Sequence, residues 1–491
     1  MASQRVKNQT MLQTVPDKRI KRSSDDRNSG TVNNTTTNIN AVSVNLADDV
    51  LENIFSFLPI KQAVKFALLS TRFKNSWLFS RNLYFDKDFA RGRPRGEIMK
   101  TVNRVFNLHS GSKIQRFRLY FDPTNVESLV ECWIKKVTIK VVEELDLDFT
   151  QGKEAFKLSS ELLDVESIRV LRLALCELDL PPKLKGLRFL KTLALRKVDV
   201  MPGLIKTVFS NCVLLEILEL VKCSKIFDLK IVAQNLKKFK VLIVGNCFDI
   251  LHINIDAPTL CTLHYRGDVC IINFSSKMRK LNDVILNFAP AKGFPQLSQI
   301  AELMMGLSYV NVLTVSNTFL EGLSSKFVNG KLREPQFYLW NLKELHLFIE
   351  GFSYINPYDI ASFLKNCPNL ERIFLDLGEF SFECGYYWEL HGKENFEHCN
   401  PPFQRLKFIK VKGFKFQKLE LEMVKFFLNK AMLLESLALV TSRNNHPNSQ
   451  NASIYDRIFL SWRASPNAKI DIYEYLNDRS SIHPKHSKIW Y

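Results

Sequence analysis

The chain has 491 residues, with 68 Lys and Arg against 50 Asp and Glu, a formal charge of +18, and ordinary apolar (46%) and aromatic (11%) content. That length holds two to four domains and a large core, and the charge favours acidic partners such as nucleic acid, a membrane surface or an acidic protein. No apolar run approaches the ~18 residues of a membrane helix and the N-terminus carries no hydrophobic region, so no membrane span and no signal peptide are expected. An intracellular location follows as an expectation, in the nucleus, the cytoplasm or both. Ten cysteines occur without a C-x-x-C pair, which in so long a chain suits reduced, structural thiols rather than a disulfide scaffold.

Residues 1–40 are rich in Asn, Thr, Ser, Lys and Arg and lack a repeating apolar face. They are expected to form a disordered basic tail. Lys18, Arg19, Lys21 and Arg22 cluster within it, as a nuclear-import signal or simply as part of a solvated tail. A different pattern begins near residue 43. In LADDVLENIFSFLPIKQAVKFALLSTRFKNSW, Asp48 and Asp49 stand where a helix would start, and Leu51, Ile54, Phe55 and Leu58 follow at helical spacing. Pro59 breaks that helix. A second segment runs from Gln62 to Leu69 with Ala63, Phe66, Ala67 and Leu69 on one side, and a third carries Phe73 and Trp77.

Three such short helices bury too little to be stable alone, so some of their faces are expected to pack on another protein. The order Leu-x-Asp-x-x-Leu-x-x-Ile, Leu-Pro, Leu-Ser-x-Arg and a closing Trp resembles an F-box, as found near the N-terminus of many plant F-box proteins, over residues 43–80. Ala47 stands where Pro is common and Phe73 where Trp is common. The resemblance implies that Leu46, Leu51, Ile54, Leu58, Pro59, Ala63, Leu69, Phe73 and Trp77 meet a Skp-type adaptor.

Residues 81–140 mix basic loops with strand-like runs such as Arg116 to Phe121 and are expected to form a junction. From about Val142 one unit recurs: apolar, two residues, apolar, one residue, apolar. Its middle apolar residues are Leu145, Leu171, Leu193, Leu218, Leu242, Leu263, Val284, Leu313, Leu345, Ile373, Ile409 and Leu437, spaced by 21 to 36 residues. Alternation at period two puts these leucines on one face of a short strand, and such units can bury that face only by stacking. The fold class is therefore α/β: an N-terminal helical F-box followed by an irregular leucine-rich-repeat solenoid over 141–400.

The stretch 401–491, from FQRLKFIKVKGF through FFLNKAMLLESLAL to RASPNAKIDIYEY, resembles the FBD-type region that closes many plant F-box/leucine-rich-repeat proteins. A helix over Glu420 to Met432, with Val424, Phe427, Leu428 and Ala431 at helical spacing, a second over Tyr455 to Trp462 and a last strand are expected there.

No constellation carries catalysis: a phosphate-cradling Gly-rich loop, a G-x-S-x-G elbow and H-E-x-x-H are all missing from the sequence. Cys384, His391, His398 and Cys399 fit no common zinc module, and no metal or cofactor is expected. His264 and His346 fall at outward strand positions, as surface residues. The outward strand file reads acidic at Asp146 and Asp148, apolar at Ile217 and Ile243, and basic at Lys410 and Lys412. A target protein is expected at Ile217 and Ile243, helped by Tyr387 and Trp388 in the aromatic stretch 380–388. The resemblance implies a non-catalytic substrate receptor of a Skp–cullin–F-box ubiquitin ligase, linked to cullin through the adaptor. The alternative is a basic nucleic-acid-binding or scaffold repeat protein, with nucleic-acid contact weak and non-specific.

Overall fold

The computed structural model describes residues 48–68, 74–289, 297–323, 326–328, 331–333, 337–351, 353, 355–382, 403–443 and 449–487, a few of them, Leu51 included, by backbone alone. One parallel sheet of fifteen strands dominates, each strand paired with the next in chain order. Its strands are β1 (Asn82–Phe85), β2 (Arg116–Tyr120), β3 (Glu144–Asp148), β4 (Val170–Ala174), β5 (Thr192–Arg196), β6 (Ile217–Val221) and β7 (Val241–Gly245). They continue as β8 (Thr262–Gly267), β9 (Asp283–Phe288), β10 (Val312–Ser316), β11 (Glu344–Phe348), β12 (Arg372–Asp376), β13 (Phe408–Phe414), β14 (Ser436–Thr441) and β15 (Lys469–Tyr473).

The twelve middle residues of the repeated unit pair directly with one another from Leu145 to Leu437, forming one buried ladder. The ladder extends past both ends of the sequence pattern: Leu83 and Phe117 precede Leu145, and Ile470 follows Leu437. The span 81–140, expected as a junction, thus contains the first two strands of the solenoid, and the C-terminal region 401–491 contributes its last three. The helices of that region run Lys418–Lys430 and Ser449–Trp462, and Val424, Phe427, Leu428 and Ala431 are all buried.

The irregular spacing has a geometric cause. A strand rises about 3.3 Å per residue and a helix 1.5 Å, so fewer residues cross the back of a unit when they are extended. The short spacings around Leu242, Leu263 and Val284 are backed by Asp228–Val232, His252–Asp256 and Ile271–Phe274, which form a small parallel sheet. Several longer units carry helices, among them Leu204–Asn211, Leu297–Gly306 and Pro357–Leu364.

At the exits of β4 to β7 the chain turns the same way each time. Leu175, Lys197, Lys222 and Asn246 adopt φ of 52–56°. Each thereby donates its N–H to a carbonyl on the following strand, at 2.5–2.9 Å. Cys176, Cys223 and Cys247 lie buried just beyond three of these turns as free thiols, and Cys223 donates its N–H to Cys247 Sγ at 3.3 Å. Burial pushes the thiols of Cys176 and Cys212 up, that of Cys212 to about 12, which makes them inert packing groups.

Candidate functional site

The helices Asp48–Ser56 and Ile60–Ala67 and the 3₁₀ turn Ser76–Phe79 sit against β1. Asn82 Nδ2 donates to the carbonyl of Phe57 (2.5 Å), Ser80 Oγ to that of Leu58 (2.8 Å), and Arg81 N to that of Ser56 (2.6 Å). Ile60 joins the solenoid core, Trp77 packs half-buried against it, and Phe55 lies on Phe66 with ring centroids 5.8 Å apart. Inward packing uses up Phe55, Ile60 and Ala63. It leaves Val50, Ile54, Phe57, Val64, Phe66 and Leu68 between 40% and 83% exposed.

The outward face of the sheet is open over its first half and covered over its second. Between the exit of β1 and β6, Asp86, Arg118, Asp146, Arg172, Arg196 and Glu219 line a hollow of about 540 Å³. Acids and arginines alternate along its floor, because Asp146 pairs across strands with Arg118 and Arg172. Burial raises the Asp146 carboxyl, against the pull of Arg172 and Arg118, and burial likewise raises that of Glu219. Asp148 goes the other way. Burial would raise it, but hydrogen bonds from Thr150 together with Arg196 and Lys87 outweigh that and lower it.

Beyond β7 the chain's own C-terminal segment returns across the strands. Lys410 Nζ, on β13, donates to Asp478 Oδ2 (2.6 Å), Ser480 Oγ (2.7 Å) and the Ile482 carbonyl (3.2 Å). Arg372, on β12, donates to the carbonyl of His483 (2.9 Å). Lys485 donates its N–H to Glu344 Oε1 (2.6 Å) and its ammonium to Asp283. His486 stands 2.6 Å from Asp283 Oδ1 and 2.8 Å from Thr314 Oγ1. Burial would raise Asp283, but His264, His486 and Lys485 hold it well below the usual carboxylate range.

A family model described as the At1g61320/AtMIF1 leucine-rich-repeat domain matches residues 105–478, and an F-box domain model matches residues 44–83. The chain belongs to the FBD-associated F-box/leucine-rich-repeat proteins of plants. From Arabidopsis thaliana, a putative FBD-associated F-box protein, At1g61330, is 35% identical over 406 residues, covering 81% of this chain and 91% of the relative. The FBD-associated F-box protein At1g61320 of the same plant is 34% identical over 405 residues, covering 81% and 88%. The solved leucine-rich-repeat domain of APL1B aligns with 73% of this chain and 99% of its own at 14% identity, with a TM-score of 0.26.

In this F-box/leucine-rich-repeat protein the residues expected to meet an adaptor divide. Ile54 is exposed, Leu58, Pro59 and Trp77 are half-buried, and Ala63 is fully buried. Ala63 is therefore a correction: its small side chain lies in the interior of the packed F-box and offers a partner no surface. Leu51 lies on the first helix, but its side chain is outside the described residues, as are Leu46, Leu69 and Phe73. Sequence reasoning missed Val50 and Phe57. Together with Ile54, which belongs to the expected stripe, they recur at i, i+4 and i+7 and are exposed.

On the sheet, Ile217 and Ile243 occupy outward, half-buried positions. Tyr387 and Trp388 lie outside the described residues, as do Cys384, His391, His398 and Cys399. The start of the aromatic stretch folds down on the solenoid: Phe382 is buried, and Lys415 Nζ holds the carbonyls of Glu379 (2.6 Å) and Phe380 (2.9 Å).

Three readings of the outward file need correcting. Its acidic start is interleaved with arginines. Its basic end is occupied, since Lys410 is buried on Asp478 and Lys412 pairs with Asp376 at 3.1 Å. His264 and His346, expected on the surface, are buried on the covered half, and burial lowers His346 to about 4.

Proposed function

We propose that the chain is the substrate-recognition subunit of a Skp–cullin–F-box ubiquitin ligase. The observation that carries this reading is the apolar face left on the F-box helices after they have packed onto β1: Val50, Ile54, Phe57, Val64, Phe66 and Leu68. An apolar face of this kind suits burial against a partner, and a Skp-type adaptor, linked in turn to cullin, is the partner that an F-box implies. The uncovered half of the sheet, β2 to β7 with Ile217 and Ile243 at its edge, receives the target protein.

The chain contributes no catalytic group of its own on this reading. It raises the effective concentration of a target lysine beside a charged conjugating enzyme. It acts inside the cell, in the nucleus, the cytoplasm or both. No helix among the described residues is long and apolar enough to cross a membrane.

The test is a two-component binding assay with purified adaptor and the double variant Ile54→Arg, Phe57→Arg. Placing two charges in a desolvated contact is expected to weaken binding by about 4 kcal/mol, roughly 1000-fold, with the circular dichroism spectrum unchanged. Adaptor affinity equal to wild type overturns the assignment. With adaptor binding intact, Ile217→Asp with Ile243→Asp is expected to abolish target capture.

A further inference from the structure

Two imidazoles and a carboxylate converge where the C-terminal segment meets the sheet. His264 on β8 and Asp283 on β9 are diagonal neighbours on the outward face, because Thr262 pairs with Asp283 and His264 with Ile285. His486 arrives from the far end of the chain. His264 Nε2 lies 3.5 Å and His486 Nε2 2.6 Å from Asp283 Oδ1. The three donor atoms all fall within 4.8 Å of one another, and their side chains are 8%, 2% and 9% exposed for His264, His486 and Asp283. The two rings stand 5.3 Å apart and nearly perpendicular, at 73°.

We propose that His264, Asp283 and His486 form a binding site for a divalent cation of the zinc type, which clamps the C-terminal segment onto the repeats. Imidazole nitrogen with one carboxylate oxygen is a donor set that zinc prefers, with a water in the fourth position. Bonds of about 2.0–2.1 Å in a tetrahedron put donors about 3.3 Å apart. The His264–Asp283 separation already matches, and His486 has to withdraw by about 0.7 Å. Thr314 Oγ1, 2.8 Å from His486 Nδ1, accepts the proton of that nitrogen and leaves the Nε2 lone pair for the metal.

Among the described residues, Lys485 is the one Lys or Arg paired with the same carboxylate. Its ammonium pairs with the other oxygen, Oδ2, and its side chain is 52% exposed, so it can turn to water as the metal enters. Glu344, paired with Arg372 at 3.1 Å and with the backbone of Lys485, anchors the segment beside the site. The proposal does not depend on the ubiquitin-ligase reading, since it concerns how the chain holds its own terminus.

The experiment uses the full untagged chain, stripped with a chelator and titrated with Zn²⁺ against a chromophoric competitor, then with Co²⁺ for its visible spectrum. One equivalent is expected, with Co²⁺ bands of a nitrogen and oxygen site and no thiolate charge-transfer band. Hydrogen exchange across residues 478–487 is expected to slow when Zn²⁺ is present. Loss of a second-shell partner typically costs 10–100-fold in affinity, so His264→Gln and His486→Gln, which remove ligands, should each cost about 100-fold or more.

Lys485→Met is the second variant, and it separates the clamp from a purely hydrogen-bonded latch. A clamp binds Zn²⁺ at least as tightly once the competing ammonium is gone. Absence of a zinc equivalent in the wild type overturns the proposal. So does an equivalent that survives His264→Gln with His486→Gln, because zinc then sits elsewhere, for instance on the cysteines.

Discussion

Lys410 holds the C-terminal segment in place, and Lys410→Met tests how firmly. Its ammonium makes three hydrogen bonds to Asp478, Ser480 and Ile482, and its side chain is 6% exposed against 23% for Asp478. Breaking a fully buried ion pair by removing one partner costs about 3–5 kcal/mol. Here the stranded Asp478 reaches water and keeps the O–H and N–H of Ser480, so the cost falls to about 2 kcal/mol. Methionine fills the volume of the lysine stem and adds no charge. The loss should fall on the segment and not on the whole fold, since among the described residues 478–487 pair with no strand and can open locally.

About 2 kcal/mol corresponds to roughly 30-fold in an opening equilibrium. Amide hydrogen exchange followed by mass spectrometry should therefore show residues 478–487 exchanging about 30-fold faster in the variant. Amides of β15, Ile470 and Ile472, serve as the internal standard and should be unchanged. Exchange in the segment within about threefold of wild type would refute the view that this buried cation carries its attachment. Equal acceleration in β15 would refute the view that the segment opens by itself.

Two further substitutions probe the repeats. Gly413 has φ +81°, and a Cβ there would stand 2.6 Å from the carbonyl oxygen and 2.8 Å from the amide nitrogen of Gly378. Gly413→Ala should cost about 2–4 kcal/mol, read as a lower urea midpoint, and a wild-type midpoint would contradict the close approach of β13 to the exit of β12. Asp359 caps the helix Pro357–Leu364 together with Asn356, and burial pushes its carboxyl up to about 7. Between about pH 4 and 7 the unfolded chain gives up this proton while the folded chain keeps it, so stability falls through that window and levels off above it. Asp359→Asn removes the slope and retains the oxygen that accepts from Asn356. It should raise the unfolding free energy near pH 8 by about 1–4 kcal/mol, read as a higher melting temperature, with the gain gone near pH 4; no gain at pH 8 would count against a buried, costly carboxylate.

Strands and repeats were legible in the sequence because their cause is local. A residue two places along a strand returns to the same face, so the apolar spacing around Leu145, Leu218 or Leu437 specifies which side is buried without reference to any other part of the chain. Stacking then follows, since none of these units can bury its leucines alone, and the observed ladder carries each of them in register. The first helix of the F-box marks where this logic stops. Its apolar residues, Leu51, Ile54, Phe55 and Leu58 together with Val50 and Phe57, spread over a wide arc, and periodicity alone does not say which of them face solvent. Packing against the second helix, where Phe55 meets Phe66, buries Phe55 and leaves Val50, Ile54 and Phe57 outside.

The fate of the outward file was decided at still longer range. Lys410, His346, Thr314 and His264 stand at outward positions by the same period-two rule that places Arg172 and Ile243 there. Nothing within a strand's length of any of them announces a cover. The cover comes from Asp478 to His486, which reaches Lys410 across 68 residues and Asp283 across 203. Contacts at such separation depend on where the stacked repeats carry the chain's end, and that position exists only once the solenoid has formed.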